Sequence, residues 1–241
     1  AMFSNYELKN YDAAKSYINK YFNETDSAKF SEYDHFYTAL IYQALDEKAN
    51  MYEHYNKALE LVNDSSMIKR WDIQKAIADS YLKDQEFENA IKYYNDMLGS
   101  KPNVSFDDWE GLANIYSKYG DAVPAKKAEM IQKAVDLFRE AGQKFPIQQV
   151  YATYMAANNV NKLDDNMKNS LAKPDYLKLI ELLGNKTDRS KGEDTMLKTA
   201  YHYMMFNSYI NKNVPGAKEY AEKILAIDPE YKPALEIQNL K

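Results

Sequence analysis

The chain has 241 residues, 45% of them hydrophobic and 28% charged, which is enough for one large domain or an array of repeats. Its net charge of −5 and its lack of any Lys/Arg cluster argue against nucleic acid, whose phosphates demand a concentrated basic face. No cysteine is present, which rules out disulfides and thiolate metal sites, and no apolar run approaches the roughly 18 residues that a membrane-spanning helix needs.

Seven glycines and seven prolines are few for this length, so the composition favours long helices joined by short turns. The 22 tyrosines, each with an apolar ring and a polar tip, suit a thin structure in which many side chains are half buried. Residues 1–26 read as a truncated helix pair: Tyr11, Ala14, Ile18 and Tyr21 form the stripe of a second helix whose partner is mostly missing. Ala1-Met2-Phe3 does not lead into a signal peptide, and the expectation is that an upstream segment, with or without a targeting signal, has been left out. Residues 32–65 supply a complete pair, with Ala39 and Tyr42 on its first helix and Met51, Tyr55 and Ala58 on its second. The most regular copy spans 71–104. Ile77, Ala78 and Tyr81 mark its first helix, Lys83 to Gln85 its turn, and Phe87, Ala90, Ile91, Tyr94 and Met97 its second helix. Gly99 stands where a left-handed helix cap is expected, and Pro102 marks the stop.

Residues 106–147 restart the pattern with Trp109, Leu112, Ala113 and Tyr116. An insertion from Gly120 to Glu129, read as a lengthened surface turn, precedes Ala134, Phe138 and Ala141, and Pro146 closes the unit. In 148–186, Tyr151, Tyr154 and Met155 are assigned to a first helix, and Ala172, Tyr176, Leu179 and Leu183 to a second beyond an Asn- and Asp-rich turn. Asn185 to Glu193 is polar and interrupts the pattern. Residues 195–230 follow with Tyr201, Met204 and Met205, then Ala217, Ala221, Ile224 and Ile227, and 232–241 reads as a closing helix.

Helix pairs recurring at about 34 residues are the mark of a repeat architecture. The residues that repeat are a small one on the first helix (Ala39, Ala78, Ala113), a tyrosine three later (Tyr42, Tyr81, Tyr116), an alanine on the second helix (Ala14, Ala90, Ala134, Ala217) and a closing proline (Pro102, Pro146, Pro229). In these the chain resembles the tetratricopeptide repeat (TPR) family, in the texture of its bacterial members, over nearly its whole length. That resemblance implies an all-α fold, a right-handed α-solenoid of antiparallel helix pairs stabilised by stacking of neighbours. Met51 and Met205 replace small residues and Asn158 and Ser208 replace the tyrosine, so looser packing is expected in the second, fifth and sixth units.

No constellation for catalysis stands out. His35, His54 and His202 lie far apart in sequence and fit no metal-ligand spacing, although His35 and His54 can meet across one helix pair. The glycines are isolated, so no phosphate-cradling loop or dinucleotide fingerprint exists. Ser66 to Lys69 and Ser170 to Lys173 fit a short S-x-x-K pattern without its companion motifs, and the pairs Asp107-Asp108 and Asp164-Asp165 suit helix starts. The reading is therefore no catalytic residues, no metal, no cofactor and no enzyme.

What remains is surface. In the TPR resemblance the first helices line a concave groove, and the groove positions here are Tyr33, Phe36 and Leu40, then Asp72, Lys75 and Asp79, then Glu110 and Asn114, and finally His202, Phe206 and Tyr209. The family's clamp for peptide carboxylates needs Lys, Asn and Arg. Only Lys75 and Asn114 are of that type, and Asp72, Asp79 and Glu110 would repel the charge, so no binding of acidic C-terminal peptides is expected. The resulting reading is a non-enzymatic scaffold that binds a protein or peptide partner in its groove. The alternative is a structural, self-associating spacer array. Neither nucleic-acid binding nor membrane insertion is expected. The compartment is open: periplasmic or envelope placement in a bacterium would follow if a signal segment preceded Ala1.

Overall fold

Apolar stripes with a period near four need a helix to bring them onto one face, and helices are what the chain forms. The computed structural model describes residues 2–240, and among them there are thirteen α-helices and no strand. Two compact units divide the chain, Ala1–Val104 and Ser105–Lys241.

The first unit holds α1 (Met2–Glu7), α2 (Tyr11–Glu24), α3 (Glu32–Ala44), α4 (Lys48–Leu61), α5 (Arg70–Lys83) and α6 (Phe87–Ser100). Consecutive helices pack as the pairs α1/α2, α3/α4 and α5/α6, and α2 and α4 also touch the helices that follow them. The second unit holds α7 (Phe106–Ala122), α8 (Lys127–Lys144), α9 (Gln149–Asn161), α10 (Lys173–Leu183), α11 (Lys191–Ile210), α12 (Val214–Ile227) and α13 (Lys232–Gln238), each packed against its neighbours in sequence.

Small residues sit where helices cross. Ala14, Ala39, Ala78, Ala90, Ala113, Ala134 and Ala217 are all fully buried, because a larger side chain would hold the backbones apart. Met51 and Met205, which take the place of small residues, are buried as well. Three first helices begin on a reciprocal cap. Ser31, Ser105 and Ser190 each accept a bond from the backbone three residues on, while Asp34, Asp108 and Glu193 reach back to the serine N–H.

Four pair turns share one device that sequence reasoning did not find. Lys9, Asp46, Gln85 and Lys212, each following the first helix of a pair, hold φ near 57 to 60°, the left-handed region normally taken by glycine. Gly99 is not such a cap. It lies inside α6, no described glycine has positive φ, and Lys101 ends the helix in extended backbone. The expected surface insertion at Gly120 to Glu129 is also corrected: those residues lengthen α7 and α8, with only a short 3-10 turn at Pro124–Lys126 between them. Gly120 is buried there because α8 leaves no room for a side chain; an added Cβ would stand 2.8 Å from Ile131 Cγ1.

The fifth unit shifts by two residues. Ala156, Ala157, Asn159 and Val160 face the core, Met155 is half buried, and Tyr151 is exposed, so Ala157 rather than Met155 is the counterpart of Ala78. The polar stretch before the sixth unit ends earlier than expected, since Glu193 already belongs to α11.

Candidate protein-interaction face

In the first unit the sequence-derived candidates divide by chemistry. Phe36 and Leu40 are half buried against the core of α2 to α5, so part of each ring or chain is committed to packing. Tyr33 is stacked obliquely on Tyr37, with ring centroids 4.5 Å apart. It also lines a cleft of about 490 Å³ with Phe3, Tyr17, Tyr21, Lys20 and Glu24. The charged trio on α5 is internally satisfied. Asp72 accepts from the Lys69 backbone N–H at 3.2 Å and so caps its own helix, while Lys75 and Asp79 form an i, i+4 ion pair at 2.7 Å.

In the second unit α7 and α9 are tied by a row of polar contacts. Tyr151 donates to Glu110 at 2.7 Å, and burial together with that carboxylate pushes the phenol up to about 12. Two turns further on, Ser117 Oγ donates to Asn159 Oδ1 at 2.6 Å and accepts from Lys162 Nζ at 2.8 Å, and the same ammonium reaches Asp121 at 2.7 Å. Asn114, one turn beyond Glu110, is half buried on the same helix. Asn158 is engaged elsewhere, accepting from the Tyr176 hydroxyl at 2.8 Å.

The Ser117–Asn159 link has a counterpart in the first unit. Gln43 Nε2 donates to Ser80 Oγ at 2.9 Å. Gln43 and Ser117 each stand four residues after the small residue of one first helix (Ala39, Ala113). Ser80 and Asn159 each stand two residues after the small residue of the next (Ala78, Ala157). The recurrence is independent support for the corrected register. It was also a signal that the sequence carried, in buried polar residues at fixed offsets from the alanines.

On α11, His202 and Phe206 are neighbours one turn apart, with ring centroids at 4.7 Å, and Tyr209 is exposed near the end of the helix. His202 Nδ1 shares a 2.8 Å hydrogen bond with the Tyr231 hydroxyl, and burial lowers its pKa. Tyr151, Tyr231 and Lys162 were not among the sequence candidates, because their place is set by contacts across helices rather than by spacing along one. Of the eleven candidates, then, Glu110 and Asn114 share one face of α7, and His202, Phe206 and Tyr209 share one face of α11. Among the described residues no group of three or more metal-ligating side chains converges, and no described helix is long and apolar enough to cross a membrane.

No family model matches the chain, and neither does any curated protein. Solved structures do. The C-terminal part of a TPR repeat-containing protein from Cytophaga hutchinsonii superposes with a TM-score of 0.73 at 23% identity, over 99% of this chain and 85% of that one. A tetratricopeptide repeat protein from Parabacteroides merdae aligns with a TM-score of 0.52 at 12% identity, over 86% of this chain and 70% of that one. YrrB, described as a TPR protein with an unusual peptide-binding site, aligns with a TM-score of 0.50 at 17% identity, over 92% of this chain and 98% of that one. At these identities the likeness is one of fold.

Proposed function

We propose that this chain, whose fold is that of the tetratricopeptide repeat, is a non-enzymatic scaffold that binds an extended polypeptide along the first helices of its pairs. The observation that carries the reading is the arrangement of the second unit. There α7 presents Glu110 and Asn114, with Lys162, just past the end of α9, bonded further along the same helix to Ser117 and Asp121, and α11 presents the rings of His202, Phe206 and Tyr209. Half-buried amides and charges suit the N–H and C=O groups of a backbone, and the aromatic rings of α11 suit an apolar anchor. The charge of Glu110 supports the same reading, since it disfavours a ligand carboxylate on that face of α7, so an internal segment fits better than an acidic C-terminus. The peptide-binding site ascribed to YrrB lends support through fold alone.

The test is selection of peptides from a random library displayed against the full chain. Binders are expected to lose at least tenfold in affinity on Asn114→Ala or Phe206→Ala, the size expected for an interface anchor worth about 1.4 kcal/mol. A selection that yields only binders indifferent to both changes would overturn the assignment.

A further inference from the structure

His35 on α3 and His54 on α4 meet inside the first unit, their Nδ1 atoms 2.8 Å apart and their ring centroids 5.0 Å apart. His35 is 5% exposed and His54 is half buried. A distance of 2.8 Å between two ring nitrogens requires one to donate and the other to accept, so only one of the two Nδ1 atoms carries a proton.

The pair is closed over by rings from the chain that precedes it. Phe22 near the end of α2 lies 5.2 Å from both imidazoles, Phe30 just before α3 lies 5.9 Å from His35, and the two phenylalanines are 4.4 Å apart. Tyr42 stacks on His54 at 5.6 Å. The charged groups that face the pair are few. On α3 there is Asp34, whose carboxylate is held by Ser31; on α4 there are Glu53, its ion-pair partner Lys57, and Glu60. From α2 comes Lys15, which sits over the far ring of Tyr42 and pairs with Glu47. The connection between α2 and α3 contributes Phe30, an uncharged ring.

We infer that the His35–His54 pair is a proton-operated latch: it holds the end of α2 and the α2–α3 connection onto the α3/α4 pair while one Nδ1 is bare, and releases them when both imidazoles are cations. The first added proton goes to a ring Nε2 and leaves the N–H···N bond standing, with a charge under the phenylalanines. The second goes to the remaining bare Nδ1. Two N–H groups then face each other at hydrogen-bond distance with like charges behind them, and the rings must part. Burial, the neighbouring imidazole and Lys57 hold His54 down at about 4, and burial and Lys57 lower His35 as well, so the device works below neutral pH. Release would free Phe22 and Phe30, and with Phe30 the ring of Tyr21, 5.6 Å away, that walls the cleft beside Tyr33. The consequence for partner binding rests on the function proposed above; the latch does not.

The test is nuclear magnetic resonance of the isotopically labelled full chain from pH 7.5 to 3.5. The imidazole signals of His35 and His54 should titrate together in two coupled steps. The backbone and ring signals of Phe22 and Phe30 should move with the second step, and His35→Gln should raise the midpoint of His54 by about one pH unit or more. His202, a half-buried histidine bonded to Tyr231 in the other unit, serves as the internal control and should titrate without moving Phe22. Independent single-step titration of His54, or Phe22 and Phe30 signals that stay still while both rings charge, would overturn the latch. Because the wild-type chain carries the readout, the result stands even if the variant fails to fold, and because no ligand is present, failure here leaves the binding proposal to its own test.

Discussion

Gly120→Ala probes the closest approach in the second unit. The new methyl would stand 2.8 Å from Ile131 Cγ1, 3.0 Å from its Cδ1 and 3.2 Å from the Lys127 carbonyl oxygen. Carbon atoms in contact prefer about 3.5 to 4.0 Å, so α8 or the isoleucine must retreat by roughly 0.7 to 1.2 Å. Ile131 cannot swing aside cheaply: it is fully buried, and β-branched residues in helices have essentially one χ1 rotamer. Overpacking of this kind costs about 1 to 3 kcal/mol, and replacing a helical glycine by alanine returns about 0.5 to 1, which leaves a net loss of roughly 0.5 to 2 kcal/mol. Gly99→Ala is the matched control, because Gly99 is equally helical and nothing lies within 4 Å of its added Cβ; it should gain up to about 0.5 kcal/mol so near a helix end. Urea denaturation followed by circular dichroism, with the two variants compared at equal denaturant slope, measures the difference. If Gly120→Ala is as stable as Gly99→Ala, the tight seating of α7 on α8 is wrong.

Three further outcomes are expected. Gln85→Gly removes a side chain from left-handed backbone and should stabilise the first unit by about 1 kcal/mol by thermal unfolding, whereas the same change at the helical Gln74, which also accepts from Ser100 Oγ at 2.6 Å, should destabilise it by at least as much. The folded state holds His54 at about 4, below the 6.5 of the unfolded chain, so its contribution is complete above pH 6.5 and is lost as pH falls through that window to about 4. The loss is on the order of 3 kcal/mol at most, read as a fall of the first unit's unfolding midpoint that His54→Gln flattens. Arg139 on α8 grips the buried Asp175 of α10 through two bonds of 2.7 and 3.2 Å, and Arg139→Lys, which cannot reproduce the fork, should cost about 1 kcal/mol in the same urea assay.

The parts of the fold that were legible in the sequence are those that repeat because packing forces them to. Helices that cross closely accept only small side chains at the crossing, so Ala39, Ala78 and Ala113 recur with the period of the units and reveal it. The fifth unit hides its register for a related reason. Ala152, Ala156 and Ala157 are all buried, so several alignments satisfy a rule that asks only for a small residue, and the tyrosines that break the tie point to the wrong one. The turns mislead because composition points to Gly99 for left-handed backbone. The chain places it at Asp46, Gln85 and Lys212, between the helices of a pair, where surrounding packing fixes the conformation whatever the residue.

The candidate surface was harder to read, since a charged residue on a first helix has the same spacing whether it caps, pairs or awaits a partner. Asp72 illustrates the consequence for experiment. Its carboxylate accepts from the Lys69 N–H, so a charge reversal there removes a cap worth about 0.5 to 2 kcal/mol, and any loss of binding would be inseparable from fraying at the start of α5. Lys75 and Asp79 are bonded to each other on the exposed face, so exchanging them as Lys75→Asp with Asp79→Lys keeps the pair and its small contribution to the helix while inverting the field a ligand meets. Affinity that survives the exchange therefore clears the Lys75–Asp79 pair of a role in recognition, and affinity that falls with the thermal midpoint unchanged assigns one, a separation that no single reversal at Asp72 can provide.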